Sequence, residues 1–135
     1  METPLYKEKN WAHYDVSHFP EVKVTLGKKI SNDADFQKFL DDWEALYQRD
    51  RDFTLHFNTN NVGWVSMKYC FKMRSFIRKI KEKHPKSLEK SYIQTDSKWV
   101  RFLLKTIFFL EKPVAPVYVY SGDFSDLENT TVYNP

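Results

Sequence analysis

Residues 53–58 (FTLHFN), 66–83 (SMKYCFKMRSFIRKIKEK), 88–94 (LEKSYIQ), 97–111 (SKWVRFLLKTIFFLE) and 114–120 (VAPVYVY) decide the fold. The first, third and fifth segments are short and rich in aromatic and aliphatic residues, which predicts strands. The second and fourth repeat apolar residues every three or four positions, which predicts amphipathic helices. Strands that alternate with helices indicate a layered α/β fold, and right-handed crossovers would make these strands parallel.

The preceding part of the chain extends the same pattern. Residues 21–26 (EVKVTL) alternate cleanly and predict a further strand. Residues 31–48 carry apolar side chains at spacings of three and four and predict an acidic helix. Residues 14–19 alternate weakly and are a candidate edge strand that Pro20 ends. The expected fold is a single-layer, mixed but mostly parallel sheet of four to five strands, covered by about three helices.

Length and composition set the domain organisation. A chain of 135 residues is expected to form one domain with its own core. Aromatic residues make up 17% of the chain, which favours a dense, filled core. We expect a mobile N-terminal segment at 1–12, a single α/β domain at 13–121 and an acidic C-terminal tail, in loop or turn conformation, at 122–135.

Several features indicate an intracellular protein. Cys70 is the single cysteine of the sequence, so the chain has no internal disulfide. The first 16 residues lack the apolar core of a signal peptide. No apolar run approaches the roughly 18–20 residues that span a bilayer, since Arg101 and Lys105 interrupt the longest one. We therefore expect a cytoplasmic location and no transmembrane segment.

Charge is segregated along the chain. Between Trp64 and Lys112 there are 13 Lys or Arg and 4 Asp or Glu, a local net charge of +9. The remaining 8 basic and 14 acidic residues give −6, and the two parts sum to the overall +3. This segregation predicts a positive surface on the two basic helices.

The basic residues of these helices form stripes that could combine into one polyanion-binding patch if the helices pack side by side. Such a patch would attract nucleic acid, an anionic membrane or an acidic protein. Tyr69, Phe71 and Trp99, which lie between the basic residues, could stack on bases if they are exposed. Lysines on the wet face of an amphipathic helix are the plainer interpretation. The candidate patch residues are Lys68, Lys72, Lys79, Lys98, Arg101 and Lys105.

The sequence offers no set of residues for catalysis, so we expect no enzyme activity, no cofactor and no metal. The four histidines are scattered, without metal-ligand spacing: His13, His18, His56 and His84. Cys70 lies on the apolar stripe of its helix, where an inert buried thiol is the common case. Three glycines in the whole chain leave little room for a glycine-rich phosphate loop.

The order of strand, Asn-Val-Gly loop (61–63), long helix, strand, amphipathic helix and strand resembles STAS-like domains and, in topology, the lipid-binding CRAL-TRIO domains. NTNNVGWVSMKYCFKMRSFI (58–77) and KWVRFLLKTIFFLEKPVAPVYVY (98–120) are also similar to a small uncharacterised group in large DNA viruses and protists. The STAS resemblance implies a phosphorylation switch at the start of the second helix, where Ser66 is the nearest serine. The family's Asp-Ser-Ser-Gly wording is absent, so Ser66 as a helix cap is the alternative.

Three functions remain open. The first is a non-catalytic, STAS-like interaction module that binds a protein partner or itself, with Trp64 and Phe108–Phe109 as candidate interface residues. Self-association could pair the acidic helix 31–48 of one copy with the basic helices of another. The second is a nucleic-acid-binding accessory protein, or a virion component if the viral resemblance holds. The third is a small carrier of lipid or another apolar ligand, as the CRAL-TRIO resemblance implies, which would require a cavity.

Overall fold

The computed structural model describes residues 10–122 and 129–135, which form one mixed sheet and a layer of helices. The 3-10 turn Leu46–Arg49 extends the first helix. Within the described residues, the elements in chain order are β1 Ala12–Asp15, β2 Glu21–Leu26, α1 Asp33–Ala45, β3 Phe53–Asn58, α2 Lys68–Lys83, β4 Leu88–Gln94, α3 Lys98–Leu110, β5 Val117–Tyr120 and β6 Thr131–Tyr133.

The strands lie side by side in the order of the sequence, from β1 to β6. The pairs from β2 to β5 are parallel, as predicted, whereas β1 and β6 pair antiparallel at the two edges. The expected four to five strands are therefore corrected to six. The additional strand, β6, is three residues long and lies among polar residues, so its sequence shows no periodic pattern.

Local signals account for the element boundaries. Asn32 caps α1 by accepting a hydrogen bond from the backbone N–H of Asp35, and Ser97 caps α3 by accepting from Val100. At the start of α2, Met67 has helical backbone angles and makes no side-chain capping bond, whereas Ser66 Oγ accepts a 3.3 Å hydrogen bond from the Lys68 N–H, so the capping role of Ser66 stays a prediction. The first strand occupies Ala12–Asp15 and not 14–19, and β5 begins only after Pro116, which lacks an N–H to donate.

The helices pack on one face of the sheet. The helix-facing positions of the central strands are almost completely buried, among them Val22, Leu55 and Val119 at 0–1% exposure. Trp11 belongs to this core and lies edge-on to Phe39, with ring centroids 5.3 Å apart. The ordered core therefore reaches back into the predicted mobile segment 1–12, of which residues 1–9 lie outside the described part of the chain.

The core is not completely filled. A cavity of about 150 Å³ remains between the sheet and the helices, with walls that are almost entirely apolar. The expectation of a fully packed interior is corrected on this point. Within residues 10–122 and 129–135, no helix has the length and apolar character needed to cross a bilayer.

Candidate interaction surface

The basic stripe on α2 lies against the acidic helix α1 of the same chain. Lys68 Nζ is 3.0 Å from Asp33 Oδ1, and Lys79 Nζ is 2.7 Å from Glu44 Oε1. The hydrogen bond from Lys79 lowers the pKa of Glu44, and His84 adds to this effect. The acidic residues of α1 thus neutralise two of the six predicted patch residues within one molecule.

The opposite edge of α2 is paired as well. Arg78 Nε and Lys81 Nζ both lie 2.7 Å from the carboxylate of Glu111, at the end of α3. The hydrogen bonds from Lys81 and then Arg78 lower the pKa of Glu111. Much of the positive charge of α2 is therefore used to join the three helices.

Arg101 of α3 holds the C-terminal strand. Its guanidinium donates to Ser121 Oγ at 3.0 Å, to the Asn129 carbonyl at 3.1 Å and to Thr131 Oγ1 at 3.4 Å. Lys98 and Lys105 line the same shallow cleft between α3 and β6. Arg101 therefore connects α3 to the chain on either side of the undescribed residues 123–128.

The six predicted patch residues consequently form two groups. Lys68 and Lys79 face α1, whereas Lys98, Arg101 and Lys105 lie on α3 towards β6. In the part of the chain that the structure describes, ion pairs are absent for Lys72, Lys98 and Lys105.

Large aromatic side chains lie between these lysines on the outside of the helical layer. Trp64 is 73% exposed and Phe109 is 87% exposed, while Phe71 and Phe102 are about half exposed at 51% and 49%. Soluble monomers rarely expose several such side chains together. We refer to these four exposed side chains of the helical layer together as the aromatic face: Trp64, Phe71, Phe102 and Phe109.

Contacts between the elements place α2 and the loop that carries Trp64 beside α3. The indole N–H of Trp99 donates to the Val65 carbonyl at 3.0 Å, which holds the loop that carries Trp64 against α3. Trp99 also stacks on Phe102, with ring centroids 5.5 Å apart. The Cys70 thiol approaches the Leu103 carbonyl at 3.7 Å, so α2 and α3 lie side by side at this level.

The outer side of α3 alternates charge and aromatic surface. Lys98, Phe102, Lys105 and Phe109 are all exposed, at successive spacings of four, three and four residues. Such spacing places them on one helical stripe that is about 16 Å long. This stripe combines predicted patch residues with apolar contact area, an arrangement that the sequence alone did not separate from an ordinary solvated face.

Other predicted aromatic residues are less available. Tyr69 is buried at 7% exposure, and its hydroxyl donates to Asp33 Oδ1 at 3.0 Å. Phe108 is half-buried against Tyr133, with ring centroids 4.8 Å apart. Of the predicted interface residues, Trp64 and Phe109 are exposed and Phe108 contributes mainly to packing; of the predicted stacking residues, Phe71 is exposed and Tyr69 is buried.

Two reactive side chains, Ser66 and Cys70, lie near the start of α2, and both make contacts within the protein. Ser66 is half-buried, and its Oγ accepts a hydrogen bond from the Lys68 N–H at 3.3 Å. Phosphorylation of Ser66 stays a prediction. Cys70 is buried, and burial raises the pKa of its thiol, which keeps it protonated and weakly nucleophilic.

The face of the sheet opposite the helices carries a row of aromatic side chains that sequence reasoning missed. One cross-strand register contains Lys23, His56, Tyr92, Tyr118 and Val132. His56 stacks on Tyr92 with ring centroids 5.1 Å apart, and Tyr92 stacks on Tyr118 at 5.2 Å. The alternation of each strand gave the direction of these side chains, but only the register of the sheet brings them together.

The stacked row limits what this face of the sheet can bind. Both ring faces of Tyr92 are occupied by its neighbours, so a nucleobase cannot stack on it without displacing them. His56 is also bonded to Glu21, with Nε2 and Oε1 2.6 Å apart. Among the described residues, no three metal-ligating side chains converge, here or elsewhere. The row is therefore first of all a stabilising contact of the sheet.

Comparison with known proteins assigns no family to this chain, so its classification rests on the fold. The chain matches no family model, and no curated protein or solved structure matches it significantly. The class that the architecture defines is a two-layer α/β domain, with a six-stranded mixed sheet in sequential order and helices on one face.

Proposed function

We propose that this protein is a non-catalytic interaction module that binds an acidic protein partner through the aromatic face. The observation that carries the proposal is the exposure of Trp64 and Phe109 on the helical layer, which also bears lysines that form no ion pair with the described residues. Tryptophan and other large aromatic residues contribute most to binding at protein interfaces, where they fill pockets on the partner. The STAS-like resemblance is compatible with such a role.

The charges around the aromatic face support an acidic partner. Lys98 and Lys105 flank Phe102 on α3, and Lys72 follows Phe71 on α2; among the described residues none of the three lysines forms an ion pair. Charged residues at the rim of an interface steer association and select partners of the opposite sign. The complementary surface would therefore carry an apolar pocket with acidic residues around it.

The same charges argue against self-association. In a symmetric dimer the aromatic face would meet its own copy, and the lysines would repel one another. The acidic residues Asp33 and Glu44 of α1 already bind Lys68 and Lys79 within the same chain. Intramolecular pairing thus removes the basis for joining the acidic helix of one copy to the basic helices of another.

A defined acidic and aromatic polymer tests the proposal. We expect the purified protein to bind a random copolymer of glutamate and tyrosine at least tenfold more tightly than polyglutamate, as measured by biolayer interferometry. The double variant Trp64→Ala with Phe109→Ala should lose this preference. Val132→Ala, which removes apolar surface from the far edge of the sheet, is the matched control.

Two results would refute the protein-binding proposal. One is equal binding of both polymers by the wild type, which would leave only charge attraction. The other is an unchanged preference in the double variant, provided that circular dichroism shows the same fold. Light scattering of the eluted peak at two salt concentrations would reveal a homodimer, which contradicts the argument from repulsion.

Nucleic acid is the second candidate, and it is favoured by Lys72, Lys98 and Lys105, which form no ion pair with the described residues. Three phosphate contacts would give a logarithmic salt dependence of the binding constant with a slope of about −3 for a DNA duplex. Lys72→Glu combined with Lys105→Glu should abolish retention of a short duplex. Retention that stays unchanged in this variant would dismiss the lysines as a nucleic-acid site, and with them a packaging role in a virion.

A further inference from the structure

The shallow cleft between α3 and β6 gathers three positive charges. Lys98, Arg101 and Lys105 line it from α3, at successive spacings of three and four residues. Side chains at these spacings are neighbours on one face of a helix, where like charges repel each other. Among the described residues, no carboxylate lines the cleft and none forms an ion pair with these three cations. An anion bound in the cleft would relieve this repulsion.

Arg101 is the fixed member of this group. Its guanidinium donates to Ser121 Oγ, to the Asn129 carbonyl and to Thr131 Oγ1, at 3.0, 3.1 and 3.4 Å. These bonds use three of the five N–H donors of an arginine side chain, and the described residues leave the others, among them Nε–H, for a ligand. A guanidinium whose position is already set loses little conformational entropy when it binds an oxyanion.

The remaining walls of the cleft supply rings and a hydroxyl group. Phe102, Val119 and Tyr133 contribute apolar surface, and Thr131 contributes its hydroxyl. Burial raises the pKa of Tyr133, so its hydroxyl stays neutral and adds no negative charge to the cleft. The volume of about 560 Å³ falls within the roughly 300–1,000 Å³ of small-molecule sites. The cleft therefore has room for an anion that carries one aromatic ring.

We propose that this cleft binds a phosphate monoester whose organic group is an aromatic ring. Near neutral pH such a phosphate carries a charge of about −1.5 to −2, which matches three cations better than the single charge of a carboxylate or a sulfate ester. Its three free oxygens allow Arg101 to bind through its fork of N–H groups while Lys98 and Lys105 contact it from either side. The ring packs against Phe102 and Tyr133.

This site is additional to the proposed protein interface. It shares Phe102 and the lysines of α3 with that interface, but it includes neither Trp64 nor Phe109. Binding of an aryl phosphate should therefore persist in the double variant Trp64→Ala with Phe109→Ala, which tests the interface. Its loss in that variant would overturn the cleft as the site.

Phenyl phosphate and phenyl sulfate test the site, because they share a shape but differ in charge. Titration of the ¹⁵N-labelled protein near neutral pH, followed by NMR, should give about tenfold tighter binding of phenyl phosphate. The Arg101 Nε–H signal and the amides of β6 should shift. A free aryl phosphate and a phosphotyrosine side chain share this chemistry. A short uncharged peptide that contains phosphotyrosine separates the two sources, since tighter binding than that of phenyl phosphate assigns the site to a protein ligand.

Two matched double variants locate the binding. Lys98→Ala with Lys105→Ala removes two charges of the cleft and no hydrogen bond to β6, so the fold should remain while the affinity for phenyl phosphate falls about tenfold. Lys29→Ala with Lys72→Ala removes two exposed charges outside the cleft and should leave the affinity nearly unchanged.

Three results would overturn the phosphate site. The first is equal affinity of the wild type for phenyl phosphate and phenyl sulfate. The second is an equal loss of affinity in the two double variants, which would mean that only the net charge of the protein matters. The third is the absence of binding at ligand concentrations up to about 10 mM. The preference between the two copolymers depends on Trp64 and Phe109, so none of these results decides the proposed function.

Discussion

The Lys79 ammonium lies 2.7 Å from the Glu44 carboxylate, so the most basic helix of the chain is paired with its most acidic one. Glu44 also accepts a hydrogen bond from His84, at 3.2 Å. One carboxylate on α1 thus contacts both α2 and the residue that follows it. The acidic and basic segments of the sequence therefore form ion pairs between neighbouring helices. Only the lysines outside these ion pairs can bind a partner.

Removal of this carboxylate charge should weaken the contact between α1 and α2. We expect Glu44→Gln to lower the free energy of unfolding by about 0.5–1 kcal/mol, since both partners are partly exposed and screened by solvent. Urea unfolding at pH 7 measures the change. Asp41→Asn on the same helix is the control, since it removes an exposed charge but keeps an oxygen that can accept the hydrogen bond from Gln37, and it should be nearly neutral.

Glu44 should also make the stability of the fold depend on pH. The pKa of Glu44 in the folded protein lies below its ordinary value of 4.5, chiefly because of the hydrogen bond from Lys79. Its contribution to stability is therefore fully present above pH 4.5 and is lost as the pH falls through the lower folded value. Urea midpoints of the wild type and Glu44→Gln should converge in that acidic range. Midpoints that stay equally far apart would contradict the assignment.

Arg101 should determine whether β6 stays in the sheet. Arg101→Ala removes donors to Ser121, Asn129 and Thr131, and we expect a loss of about 1–2 kcal/mol for these charge-assisted bonds. Hydrogen exchange should accelerate at the amides of β6 and little elsewhere. Lys105→Ala on the same helix tests the alternative that any lost charge has this effect.

The stacked rings on the open sheet face should be energetically coupled. A double-mutant cycle of His56→Ala and Tyr92→Ala should give a coupling free energy of about 0.5–1 kcal/mol. Thermal or urea unfolding of the two single variants and the double variant provides the values. Additive losses would mean that the 5.1 Å stacking contributes no more than the burial of each side chain.

Two serines that precede helices should behave differently. Ser97→Ala removes a true cap of α3 and should cost about 1 kcal/mol. Ser66→Ala should cost less, because Ser66 only accepts a 3.3 Å bond from the adjacent turn of the chain. Unfolding free energies measured under the same conditions compare them, and equal losses would show that Ser66 caps α2 as effectively as Ser97 caps α3.

The periodicity of apolar residues predicted most of the helices and strands, because it reflects which side chains of each segment are buried. The alternation of EVKVTL and FTLHFN identified β2 and β3, and the three-to-four spacing of apolar residues identified all three helices. The parallel order of the central strands followed from the crossovers. Strand β6 and the true extent of β1 escaped, since a strand of three or four residues is too short to show a period.

The candidate sites were only partly predictable. The sequence nominated Trp64 and Phe109 as interface residues, and both are exposed on the helical layer. It also nominated Lys68 and Lys79 as part of a polyanion patch, but these lysines bind α1.

The order of elements, the one-sided burial of each strand and the uneven distribution of charge are written in the sequence, since each depends on neighbours close along the chain. The tertiary structure alone decided which lysines meet Asp33 and Glu44, which rings share a cross-strand row and where the packing leaves space. These features depend on distances between residues that are far apart in sequence. Such distances are determined only by the packing of the helices against the twisted sheet. The same packing determines which side chains remain exposed for a partner.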